Sequence, residues 1–92
     1  MNITNAIIMS PITVAAITVT VDGMVFDGDE VSQERLARTV TAATATGASM
    51  DDTTTWVLHD NTVEQVTIRQ LATALRLAGE AQTALWTKPY EN

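Results

Sequence analysis

The residues of this chain best suited to chemistry are a cluster of acids and a single histidine. Asp27, Asp29 and Glu30 fall within the stretch VFDGDEVSQERLARTV, residues 25–40, and His59 is followed directly by Asp60. Closely spaced carboxylates can hold a hard cation or act as an acid–base pair. A histidine beside an acid is the base portion of a nucleophilic triad when a serine lies within reach, and Ser10, Ser32 and Ser49 are the candidates.

Neither constellation meets the pattern its chemistry requires. A calcium loop begun at Asp27 needs an oxygen ligand where Val31 stands and a glycine where Ser32 stands. No serine lies in a G-x-S-x-G turn, and neither phosphate-cradling glycine motif occurs. The four glycines read as turn residues. The simpler reading is structural. The acids open a helix, and His59 with Asp60 sits at a hairpin tip. No catalytic, metal-binding or cofactor-binding residue is expected.

The elements around these residues follow from local pattern. ITVAAITVTV, residues 12–21, is rich in β-branched side chains, and Asp22-Gly23 followed by MVF predicts a strand, a tight turn and a second strand. Pro11 limits how far the first strand runs inside a sheet. Asp27 and Glu30 have capping-box spacing, with Asp29 as the alternative cap. The following helix carries Leu36, Val40, Ala43 and Gly47 on one stripe, a favourable Glu34–Arg38 pair on its outer side, and Gly47 as its stop. After the linker ASMDDTT, TTWVL and TVEQV flank a second turn at His59–Asn61, with Trp56 expected in the core. Thr67 and Gln70 form another capping box and open a helix from about Ile68 to Trp86.

The predicted fold is therefore α+β, two β-hairpins each followed by a helix (ββαββα), with a small antiparallel sheet packed on two helices. On the last helix Arg69, Thr73, Arg76, Glu80 and Thr83 make a narrow polar strip, and apolar residues fill well over half of the remaining circumference. Either the N-terminal strands or another chain must cover that surplus. Trp86 and Tyr90, in the tail LWTKPYEN, cap the domain edge or anchor a partner.

Composition narrows the functional classes. A chain of 92 residues makes one domain and hides only about 60–65 % of the surface its unfolded form exposes, so its core is thin. The absence of cysteine removes disulfides, thiolate nucleophiles and zinc–thiolate sites. Unstapled small domains often gain stability by associating, so a homo-oligomer or larger assembly is expected. Eleven acids against five scattered cations give a net charge of −6, which leaves no basic footprint for nucleic acid or an acidic membrane. Residues 3–21 carry no charge. They lack the basic start of a secretory signal, and Asn5, Ser10, Pro11 and several threonines interrupt them as a membrane span.

The segments VFDGDEVSQERLARTVTAATATG and TTWVLHDNTVEQVTIRQLATAL, taken together, resemble a small uncharacterised domain of tailed-phage tail and tail-fibre-assembly proteins. The shared features are an F-D-x-D-E-x-S-Q opening (Phe26–Gln33), a W-x-L-x-D-N-T hairpin (Trp56–Thr62) and a Thr-capped helix with leucines. The likeness spans about residues 25–86, leaving 1–24 as a β-prone arm and 87–92 as a tail. It implies a non-enzymatic phage structural protein, made in the host cytoplasm and carried in the virion, whose partners are other phage structural proteins. Docking would use the arm, through Ile7, Ile8, Ile12 and Val14, and the last helix and tail, through Leu77, Ala81, Trp86 and Tyr90. The alternatives are an assembly factor that leaves the finished particle and a small acidic inhibitor of a host nucleic-acid enzyme.

Overall fold

The structure, a computed structural model, describes residues 17–87. Chain order is β1 (Thr18–Val21), β2 (Met24–Asp27), α1 (Glu30–Ala45), β3 (Thr53–Val57), β4 (Val63–Thr67) and α2 (Ile68–Thr87). The ββαββα order predicted from the sequence is the order observed. Residues 12–16 of the predicted first strand lie outside the described residues.

Asp22 (φ 50°) and Gly23 (φ 81°) both adopt the left-handed backbone that a type I′ turn demands, and Val21 pairs with Met24 across it. Strand alternation then sends Val19, Val21 and Phe26 to the buried side and Thr18, Thr20 and Val25 outward. Residues 17–21, assigned to the arm on sequence grounds, thus give Ile17, Val19 and Val21 to the core. Phe26, Leu36, Val66 and Leu71 are its largest fully buried side chains.

Helix α1 begins at Asp29, not at Asp27. The Asp29 carboxylate accepts from the Ser32 hydroxyl at 2.5 Å and, at a long 3.4 Å, from the Ser32 amide. Asp27 is still in strand β2, so its side chain is directed by the pleat and not by the helix. At the other end Ala48 N–H donates to Ala43 O (2.9 Å) and Gly47 N–H to Thr44 O (3.2 Å), with Gly47 at φ 80°. That is a complete Schellman stop, with glycine at the one position where a side chain is disfavoured. Leu36 is buried, Val40 and Ala43 are half-buried against the core, and Gly47 is exposed. Glu34 and Arg38 do not pair; among the described residues the ion pairs are Asp51–Arg69 and Arg76–Glu80. An exposed pair gains only about 0.3–0.5 kcal/mol, which side-chain entropy readily offsets.

The capping box predicted for α2 is reciprocal. Gln70 N–H donates to Thr67 Oγ1 at 3.0 Å, and Thr67 N–H donates to Gln70 Oε1 at 2.8 Å. The Gln70 amide also reaches Asp22 in the first turn at 3.0 Å, tying hairpin to helix. Gly79 lies inside α2 with open space around it, so it is not a turn residue.

The antiparallel strands form two ribbons, β1–β2 and β3–β4. Among the described residues a single backbone hydrogen bond links them, His59 N–H to Val25 O at 2.9 Å. Ile68, Leu71, Ala74 and Ala78 of α2 are buried, with Leu75, Leu77, Ala81 and Leu85 packed partly against the same core. Intramolecular packing therefore takes up much of the apolar surplus on α2.

Candidate functional site

The structure distributes the candidate chemical groups in a way that accounts for most of them. His59 Nδ1 lies 2.6 Å from Asp27 Oδ1, across 32 residues of sequence. Both side chains are about half exposed, at 54 % and 48 %. The partner expected from adjacency, Asp60, turns elsewhere: its Oδ1 accepts from the Thr62 amide (3.0 Å) and the Thr62 hydroxyl (2.6 Å). This is an Asx turn, which also fixes Asn61 at φ 69°.

The serines are committed as well. Ser32 donates its hydroxyl to the Asp29 cap, and Ser49 Oγ accepts from the Asp51 amide at 3.1 Å. Ser10 lies outside the described residues. No Ser–His–Asp arrangement is assembled from the described candidates. Among the described residues no three His, Cys, Asp or Glu side chains converge as a metal centre.

Two carboxylates are held below the usual range. The Ser32 hydroxyl beside Asp29 stabilises its charged form, and the Thr62 hydroxyl and amide do the same for Asp60. Both groups are acids with depressed folded-state values. Their contribution to stability is therefore fully present above the unfolded-state value of about 3.9 and is lost as pH falls through the folded value. The urea midpoint should stay level on acidification until about pH 4 and then drop, with a shallower drop in Asp29→Asn. An acid limb unchanged in that variant would refute the assignment.

Among the described residues one polar side chain is buried, and it was not singled out on sequence grounds. Gln82 is only 5 % exposed and continues the apolar stripe of α2. Its Oε1 accepts from Gln33 Nε2 at 2.6 Å, and its own amide donates to Glu30 Oε1 at 3.1 Å. Gln33 also donates to Gly28 O at 2.9 Å. The C-terminal part of α2 is thereby fastened to the first turns of α1. The available signal was positional: Gln82 follows Ala78 by four residues, on the apolar arc.

The residues expected to meet a partner divide into three groups. Leu77 and Ala81 are half-buried against the core. Trp86 is 58 % exposed and borders a shallow groove with Glu30, Gln33, Glu34, Ala37, Leu75 and Gln82. Ile7, Ile8, Ile12, Val14 and Tyr90 lie outside the described residues. Trp56, expected in the core, is half-buried and packs on its edge. It lines a cleft of about 240 Å³ with Asp27, Ser32, Arg35, Thr55 and Val57. Among the described residues no helix is long and apolar enough to cross a membrane.

Comparison of the chain with protein-family models, with curated proteins and with solved structures gave no match.

Proposed function

We propose that this chain is a non-enzymatic structural protein of a tailed-phage particle, placed in the tail or fibre region and acting by protein–protein docking. The observation that carries the reading is how the residues of the phage-like resemblance are used. Phe26 fills the core, Asp29 and Ser32 cap α1, and Gln33 joins the helices through Gln82. Leu58 is buried, and Asp60 and Thr62 fold the second turn. These members of the resemblance are scaffold residues. Such a pattern suits a module whose output is a surface.

Docking then falls to the arm and to the end of α2. Ile17, Val19 and Val21 are used by the domain itself, so the arm offered to a neighbour is the uncharged run that precedes them, with Ile7, Ile8, Ile12 and Val14. It adds a strand to a neighbouring chain by β-augmentation. Trp86, exposed beside a shallow groove, supplies the aromatic anchor that interfaces favour, together with Leu77, Ala81 and Tyr90.

Mass spectrometry of purified particles is the direct test. The chain is expected in the virion, and deletion of residues 1–11 is expected to abolish its incorporation while far-ultraviolet circular dichroism of the purified variant stays that of the folded domain. Absence of the intact chain from particles would favour an assembly factor or an inhibitor. Undiminished incorporation of the truncated chain would refute the role of the arm.

A further inference from the structure

The seam between the two ribbons has the form of a receiving groove. Leu58 N–H donates to Thr62 O and Ile68 N–H to Asp52 O, so the even-numbered residues of β3 face β4. Thr53, Thr55 and Val57 must then point their N–H and C=O groups away from β4. His59, two further along the same edge, donates to Val25 O on the outer edge of β2. The two edges thus meet at Val25–His59, and no further backbone hydrogen bond joins them among the described residues. Asp27 on one side and Thr55, Trp56 and Val57 on the other line the gap, and Ser32 and Arg35 of α1 close it.

Four features of this gap identify an occupant. Among the described residues the outward groups of Thr53, Thr55 and Val57 have no hydrogen-bond partner. Strand β3, TTTWV, has no charge, proline or bulge, the devices that ordinarily protect a free edge. At about 240 Å³ the gap is smaller than the roughly 300–1,000 Å³ of small-molecule and cofactor sites. Asp27 is hydrogen-bonded to His59, whereas the Arg35 guanidinium meets no carboxylate among the described residues.

We infer that the edge of β3 takes a short extended segment of a partner protein by β-augmentation, with Arg35 receiving a carboxylate side chain of that segment. The backbone groups of Thr55 and Val57 supply the hydrogen bonds, and Arg35 supplies the selectivity. The inference does not depend on the phage reading, in which this chain offers an arm; here it accepts one.

The test is a nitrogen-15 NMR titration of the full-length chain with the capped pentapeptide acetyl-TVEVT-amide, beside acetyl-TVKVT-amide and acetyl-TPEPT-amide. Saturable shifts of the Thr55 and Val57 amides are expected with the glutamate peptide. The lysine peptide should bind about fivefold more weakly or worse, and the proline peptide not at all. Arg35→Gln should erase the preference for glutamate over lysine while the Thr55 and Val57 shifts persist. No saturable shift at millimolar peptide would overturn the inference, as would equal binding of all three peptides. So would Thr55 and Val57 amides already protected from hydrogen exchange in the free protein. Protection unaffected by dilution would assign the edge to the chain's own N-terminal residues, and protection lost on dilution would assign it to a second copy.

Discussion

Phe26→Ala is expected to remove a large share of the folded state's stability at room temperature. Phe26 is completely buried in the short strand β2 and belongs to the cluster that includes Leu36, Val66 and Leu71. Truncating a buried phenylalanine costs about 3–5 kcal/mol, because the cavity closes only in part. A chain of this size has roughly 5–13 kcal/mol of stability in all, so the loss removes a large share of it. Urea titration followed by circular dichroism should give a midpoint well below that of the parent, or no folded baseline. Phe26→Leu, which retains most of the volume, should keep a cooperative transition with an intermediate midpoint. A parent-like midpoint in the alanine variant would place Phe26 outside the core.

Gly28→Ala should be the next most damaging change, from a single added methyl group. A Cβ at Gly28 would stand 2.8 Å from Ile17 Cγ2 and 3.1 Å from Ala78 Cβ. Ile17 Cγ2 sits on a branched Cβ and moves only if χ1 of that buried side chain changes. The alanine Cβ is fixed to α2 and can move only with the helix. Gly28 N–H also donates to Ile17 O at 2.9 Å, so the strand end cannot back away without breaking a ladder bond. Overpacking of this kind costs about 1–3 kcal/mol. Gly79→Ala supplies the opposite sign. Nothing lies within 4 Å of its added Cβ, and glycine inside a helix is about 0.5–1 kcal/mol worse than alanine. Opposite shifts of the urea midpoint in the two variants are the expected result; a loss in both would mean the space around Gly79 is filled.

What could be read in the sequence was whatever the chain settles within a few residues. Asp22-Gly23, Gly47 and the Thr67/Gln70 box each fix a turn or a helix end through neighbours three to five positions away, and each was legible. The choice between Asp27 and Asp29 was less so. Both have cap chemistry, and what decides is where β2 releases the chain, which the core determines. The His59–Asp27 and Gln82–Gln33 hydrogen bonds join residues 32 and 49 apart. No local rule connects such residues; only the packing of the two hairpins and helices brings them together. The gap beside β3 was invisible for the same reason, since residues of β2, α1 and β3 line it together.

The Gln82 amide also limits how the helices can sit on one another. Apolar contacts between α1 and α2 would tolerate displacement, because one aliphatic side chain can replace another at little cost. A glutamine in that stripe does not permit it. Shifting α2 by one turn, about 5.4 Å, would carry the amide away from Gln33 and Glu30 and break both hydrogen bonds. Such a shift is penalised while the native stacking is not, so a domain with a thin interior can still settle into a single arrangement.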